Sequence, residues 1–100
     1  MSNTKDQIIA DIRAHIAKDG AAYSKWYVGI TKDAQNRLFN DHGVIKDGDW
    51  WIYRQAYNSQ SARDVEDYFV NTCATDGGVG GGDEDSTFVY AYKKAPHTNP

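Results

Sequence analysis

Trp26-Tyr27-Val28-Gly29-Ile30-Thr31, with Asp33 and Arg37 just behind it, is the stretch on which the reading of this chain turns. Aromatic and β-branched residues fill most of its six positions, and that composition predicts a strand. Gly29 in the strand interior points to a bulge or to another group approaching the backbone closely. Asp33 has the character of an N-cap and predicts a short helix running to about Asp41, with His42-Gly43 ending it. A strand ending near a glycine and a helix starting a few residues later can aim the strand tyrosine Tyr27 and the helix arginine Arg37 at one spot.

Upstream, Thr4 followed by Gln7 has the form of a capping box. Ile8, Ile9, Ile12 and Ile16 continue at helical spacing, and Gly20 is a C-terminal stop, so a helix is expected over about 4–19. Downstream, the turn-rich Lys46-Asp47-Gly48-Asp49 leads into a second strand over 50–56, whose Trp50 and Trp51 point to opposite faces. Asn58 to Ser61 offer caps for a third helix over about 62–74. The glycine-rich stretch 76–86 reads as a flexible connector; it lacks the Gly-Lys-Ser/Thr ending of a phosphate loop and carries Asp83, Glu84 and Asp85. A third strand follows at 87–92, then a tail containing both prolines that is expected to fray over about 95–100. The order is α-β-α-β-α-β in one α+β domain. By pattern alone, a parallel sheet and a mixed or antiparallel three-stranded sheet fit equally.

Composition narrows the classes. With 100 residues, the chain is the size of one domain. A formal net charge of −3 argues against a surface that attracts polyanions as a whole, so binding to nucleic acid needs a local basic patch. One cysteine, Cys73, excludes an internal disulfide and reads as a small core residue, in keeping with a reducing compartment. The first twenty residues lack the pattern of a signal peptide, and no run approaches the ~20 apolar residues of a membrane span. A cytoplasmic protein without membrane association is the expectation. His15, His42 and His97 are too scattered to read as a metal site by spacing.

Glu66 is the local anomaly. On the third helix, Ala62, Val65, Phe69 and Cys73 form one apolar stripe, and at about 100° per residue Glu66 falls inside it. A carboxylate on a core-facing stripe is expensive unless it is paired or holds a metal ion. An ion pair with an arginine is the structural explanation, and a metal site is the functional one. Tyrosine, arginine and a metal-binding glutamate together are the groups that phosphodiester cleavage requires: the arginine steadies phosphate charge, and the glutamate holds a divalent ion that polarises it.

Tyr27-Val28-Gly29, Arg37 eight residues after the glycine, His42 five residues further and Glu66 on a later helix resemble the second half of the signature of the GIY-YIG nucleases. The resemblance covers roughly residues 23–92. It implies a three-stranded antiparallel sheet flanked by about three helices, and metal-dependent endonuclease-type hydrolysis of nucleic acid, DNA above all, with Mg²⁺ or Mn²⁺ held by Glu66. It implies that Arg37 contacts the phosphate and that Tyr27 positions or deprotonates the water, with His42 alongside. The family's first strand, Gly-Ile-Tyr, forms a hairpin with the second. Here only Tyr23 stands before Tyr27, four residues away, so Tyr23 is the nearest counterpart of the family's first tyrosine. A different class of reading keeps the same domain without catalysis, binding a protein or nucleic-acid partner; a third is a structural subunit that uses exposed Tyr and Trp residues as its contact surface.

Overall fold

Long strands form where aromatic and β-branched residues run together. In a computed structural model, described over residues 2–20, 22–77 and 84–100, these are β2 (Trp26–Thr31), β3 (Trp51–Ala56) and β5 (Phe88–Lys93). Two further strands of two residues each, β1 (Ser2–Asn3) and β4 (Asp76–Gly77), complete the sheet. The order across it is β1-β3-β5-β2-β4. β5 lies in the middle, antiparallel to both β2 and β3, while β1 runs parallel to β3 and β4 parallel to β2.

The expected three-stranded antiparallel sheet is therefore incorrect: the sheet has five strands and is mixed. The two strands that sequence reading missed are too short to show any alternation, and each pairs only because distant chain brings it to an edge. β4 also needs its glycine. A Cβ on Gly77 would lie 2.5 Å from Val70 Cγ2 and 2.8 Å from the Val28 carbonyl oxygen.

Helix α1 (Lys5–Asp19) begins where the Thr4 hydroxyl accepts from the Gln7 N–H at 3.1 Å and ends at Gly20 in the left-handed region. Helix α2 (Ser59–Asp67) begins at Asn58, whose side chain accepts from the Ser61 N–H at 2.8 Å. Both helices cover one face of the sheet. Ile8, Ile12 and Ile16 of α1 and Ala62, Val65 and Phe69 on and beyond α2 meet Trp26, Val28, Ile30, Val89 and Ala91 there in the main core. Because successive strand residues alternate faces, Tyr27, Tyr90 and Tyr92 go to the opposite face. They form a second cluster with Leu38 and Val44.

That second face is covered by the segment after β2. Asp33 Oδ1 accepts from the Asn36 N–H at 3.1 Å, as its N-cap role requires. From there Asn36–Asp41 winds in a wider, π-helical turn, with the His42 N–H donating to the Arg37 carbonyl at 2.9 Å. In an α-helix position 41 would sit over Arg37; a turn closed five residues back puts His42 there instead.

The tail does not hang free. Lys94 N–H donates to the Lys25 carbonyl at 2.8 Å, and Asn99 N–H to the His42 carbonyl at 2.8 Å. Thr98 is buried and caps its own turn through Ala95. Pro96 sits in this turn without breaking it, because the hydrogen bonds use the backbone of its neighbours. The glycine-rich connector read from the sequence falls largely on 78–83, outside the described residues. No helix among the described residues is long and apolar enough to cross a membrane.

Gly29 is the tightest backbone approach in the sheet. Register places it opposite Tyr90, and a Cβ there would lie 2.5 Å from the Tyr90 hydroxyl and 2.7 Å from its ring carbon. Tyr90 is itself buried and hydrogen-bonded, so it has little freedom to retreat. Gly29→Ala is expected to lower stability by roughly 1–3 kcal/mol through overpacking, read as a fall of several degrees in Tm; thermal unfolding followed by circular dichroism measures it, and an unchanged Tm would show that the phenol gives way freely.

Candidate functional site

The second face gathers most of the residues singled out from the sequence. Tyr27 on β2 stacks against Tyr92 of β5 at 5.2 Å between ring centroids and lies 6.2 Å from Tyr90. The His42 ring lies 4.8 Å from Tyr27. Arg37 enters from the π-helical turn and lines a cavity of about 270 Å³ together with Thr31, Lys32, Asn36 and Asp41. Its Nη1 donates to Asp41 Oδ2 at 3.3 Å, while its buried Nε has no partner among the described residues.

Glu66 comes from the other side of the sheet, yet it belongs to the same electrostatic unit. Its charge raises the Tyr27 and Tyr90 hydroxyls, and the charge of Arg37 lowers both. For each phenol the largest effect is burial, which disfavours the phenolate and holds it above the ordinary value. Glu66 is 6 % exposed. Among the described residues its Oε2 has no hydrogen-bond partner, and it forms no ion pair with Arg37 or any other cation. Burial above all, with the neighbouring charge of Asp67 adding and that of Arg63 opposing, pushes its carboxyl up to about 7. A buried, unsatisfied carboxylate oxygen is a group waiting for a proton or a cation. It suits a hard divalent ion, which takes oxygen ligands and can be held by a single carboxylate when waters and substrate phosphates supply the rest. No cluster of three or more metal-ligating side chains occurs among the described residues.

His42 is held on three sides. Nδ1 lies 2.7 Å from the Asn99 carbonyl oxygen and 3.1 Å from the Tyr92 hydroxyl, and Nε2 lies 2.7 Å from the Tyr90 hydroxyl. A carbonyl only accepts, so Nδ1 carries the proton and Nε2 of the neutral ring accepts from Tyr90. Burial, the largest effect, keeps the ring neutral by lowering its pKa; Arg37 acts the same way, against the Asn99 carbonyl and Asp41.

Tyr27 and His42 thus meet directly, Arg37 and Glu66 bear on the same phenols through their charges, and Tyr23 lies elsewhere. Tyr23 sits in a single turn before β2 on the helix-covered side, where its ring lies 6.4 Å from that of Phe69. In its place stand two tyrosines that sequence reading had placed on a strand without a role, Tyr90 and Tyr92. The signal available was their spacing: two tyrosines two residues apart must share a face of β5. Nothing local says which face, or which strand they meet. Neither the Arg37 cavity nor the larger depressions, of about 440 Å³ beside His15 and Trp51 and about 400 Å³ beside Lys25 and Lys94, is lined by Glu66, Tyr27, Tyr90 or Tyr92.

Comparison with protein-family models finds no matching family, and neither curated proteins nor solved structures give a significant match to this chain.

The raised carboxyl has a thermodynamic consequence. Folded, Glu66 keeps its proton up to about pH 7; unfolded, it loses it near 4.5. The unfolded state therefore ionises first, and stability drains away as pH rises between these two values, by about 3 kcal/mol in metal-free solution. Glu66→Gln removes that loss. The stability of the variant relative to wild type is expected to rise by that amount between about pH 4.5 and pH 7 and to level off above, since the histidine contributions cancel in the comparison. Urea unfolding of both proteins across this range measures it; a difference independent of pH would mean that the carboxyl ionises normally.

Proposed function

We propose that this chain is a metal-dependent phosphodiesterase acting on nucleic acid, with DNA the first substrate to test, and that it works as the GIY-YIG nucleases do. The observation that carries this reading is a pair of buried polar atoms without partners among the described residues, Glu66 Oε2 and Arg37 Nε, in side chains that do not pair with each other. Two structural ion-pair partners would neutralise each other. Two groups kept apart leave room for a ligand that needs both, and a phosphate bound with a divalent cation is such a ligand.

The sheet adds support. The resemblance requires a tyrosine-bearing strand antiparallel to Tyr27-Val28-Gly29, and no such strand precedes it in the sequence. β5 takes the antiparallel position and sets Tyr90 opposite Gly29. In this reading Tyr90 of β5, rather than Tyr23, takes the part of the family's first tyrosine.

In this reading Arg37, lining the cavity, binds the scissile phosphate and stabilises the charge that grows on its oxygens. Glu66 holds Mg²⁺ or Mn²⁺, which when bound supplies Lewis-acid polarisation of the phosphate. Tyr27 orients the attacking water and Tyr90 stands behind it, with His42 in hydrogen-bond contact to receive a proton. A second reading, the same fold binding a partner without cutting, is favoured by the net charge of −3 and by the burial of Tyr90, which is 2 % exposed.

Cleavage of labelled single-stranded, duplex and branched DNA in Mg²⁺ and in Mn²⁺ separates the two. Glu66→Ala is expected to abolish cutting while the chain stays folded, and Arg37→Ala to slow it by roughly 10²–10³-fold. Cutting that survives in Glu66→Ala would overturn the mechanism. Absence of cutting by the wild type, together with absence of metal binding at Glu66 by calorimetry, would favour the binding domain.

A further inference from the structure

The C-terminal tail reaches a residue at the centre of the site, which neither covering a core nor closing the sheet requires. Asn99 grips His42 twice: its N–H donates to the His42 carbonyl at 2.8 Å, and its own carbonyl lies 2.7 Å from His42 Nδ1. Thr98 is buried, and the turn from Ala95 to Thr98 is closed by two hydrogen bonds through the Thr98 hydroxyl and one through its N–H. Gly43, next to His42, has φ +72°, and a Cβ on it would come within 3.3 Å of the His97 carbonyl oxygen. The backbone at this point is thus shaped to let the tail lie close.

We propose that the tail is a tautomer clamp, with Asn99 a positioning residue whose backbone carbonyl holds the proton of His42 on Nδ1 so that Nε2 can take the proton of Tyr90. The role of Nε2 in cutting rests on the phosphodiesterase reading; the clamp itself does not.

Hydrogen-bond chemistry makes the tail decisive. Two groups compete at Nδ1. The Asn99 carbonyl can only accept, whereas the Tyr92 hydroxyl, 3.1 Å away, can accept or donate. With Asn99 present, a bare Nδ1 would put two lone pairs 2.7 Å apart, so the proton stays on Nδ1 and Tyr92 can only share it. Without Asn99, the Tyr92 hydroxyl is free to donate into Nδ1. The imidazole proton then moves to Nε2 and points at the Tyr90 oxygen, which can no longer give its own proton to the ring. A water that loses a proton to Tyr90 as Tyr90 passes its proton to Nε2 leaves hydroxide and an imidazolium, and the clamped tautomer alone has the free lone pair on Nε2 that this needs. Misplaced tautomers of this kind switch off a base while leaving its geometry in place.

Nitrogen-15 NMR of the labelled chain reads the two ring nitrogens of His42 directly. In the intact chain the unprotonated, pyridine-type signal is expected at Nε2. Removal of residues 99–100 is expected to move it to Nδ1 with the fold retained. Tyr92→Phe in the intact chain is expected to leave it at Nε2, because the carbonyl alone decides. An intact chain with the pyridine-type signal at Nδ1, a Tyr92→Phe variant in which it moves there, or a folded shortened chain in which it stays at Nε2 would each overturn the clamp. If the shortened chain does not fold, the first two spectra still decide. On a substrate that the intact chain cuts, the shortened chain should cut about 10²-fold more slowly. The clamp behaving as stated in a chain that cuts nothing would instead sink the phosphodiesterase reading.

Discussion

The Tyr90 hydroxyl lies directly over Gly29 and donates to His42 Nε2 at 2.7 Å, and the rest of the molecule is arranged so that both can be true. Only a residue without a Cβ leaves room for the phenol at position 29. Only a strand antiparallel to β2 in this register brings Tyr90 opposite it. That requirement puts β5 in the middle of the sheet, between β2 and β3. The wider turn of Asn36–Asp41 answers the same demand from the other side, since it is the five-residue closure that carries His42 over Arg37 and onto the tyrosines.

Burial then sets the chemistry. Two phenols, an imidazole and a carboxyl are each buried, and that burial drives each toward its neutral form. Glu66 is the costly member, because its buried Oε2 has no hydrogen-bond partner among the described residues. Proteins seldom keep such a group in a core for stability, since an apolar side chain of the same size would serve better. The helix-side core around it is complete without its charge: Ala62, Val65 and Phe69 are wholly buried on the same helical stripe.

Much of this was legible from residue order. The strand at Trp26–Thr31, the caps at Thr4, Asp33 and Asn58, and the misplaced carboxylate at Glu66 all rest on local signals: β-branched and aromatic runs, short polar side chains at helix starts, and an apolar arc at helical spacing. The close approach anticipated at Gly29 is met by a side chain from 61 residues further along. Tyr23, by contrast, lies close to Tyr27 in sequence but packs on the helix side of the sheet, where the turn before β2 carries it. Sequence proximity was the wrong measure there; strand register was the right one.

Residue order by itself determined the three long strands, the helix caps, the core stripes and the presence of a carboxylate where none is comfortable, because each depends on neighbours within about one or two turns or strand periods. Tertiary structure alone decided that the sheet has five strands rather than three, that Tyr92 rather than Tyr23 stacks on Tyr27, that a π-helical turn sets His42 against the tyrosines, and that the tail closes on its ring. These features join residues dozens of positions apart. Their energies come from which faces meet when the chain closes on itself, and that is a property no local window contains.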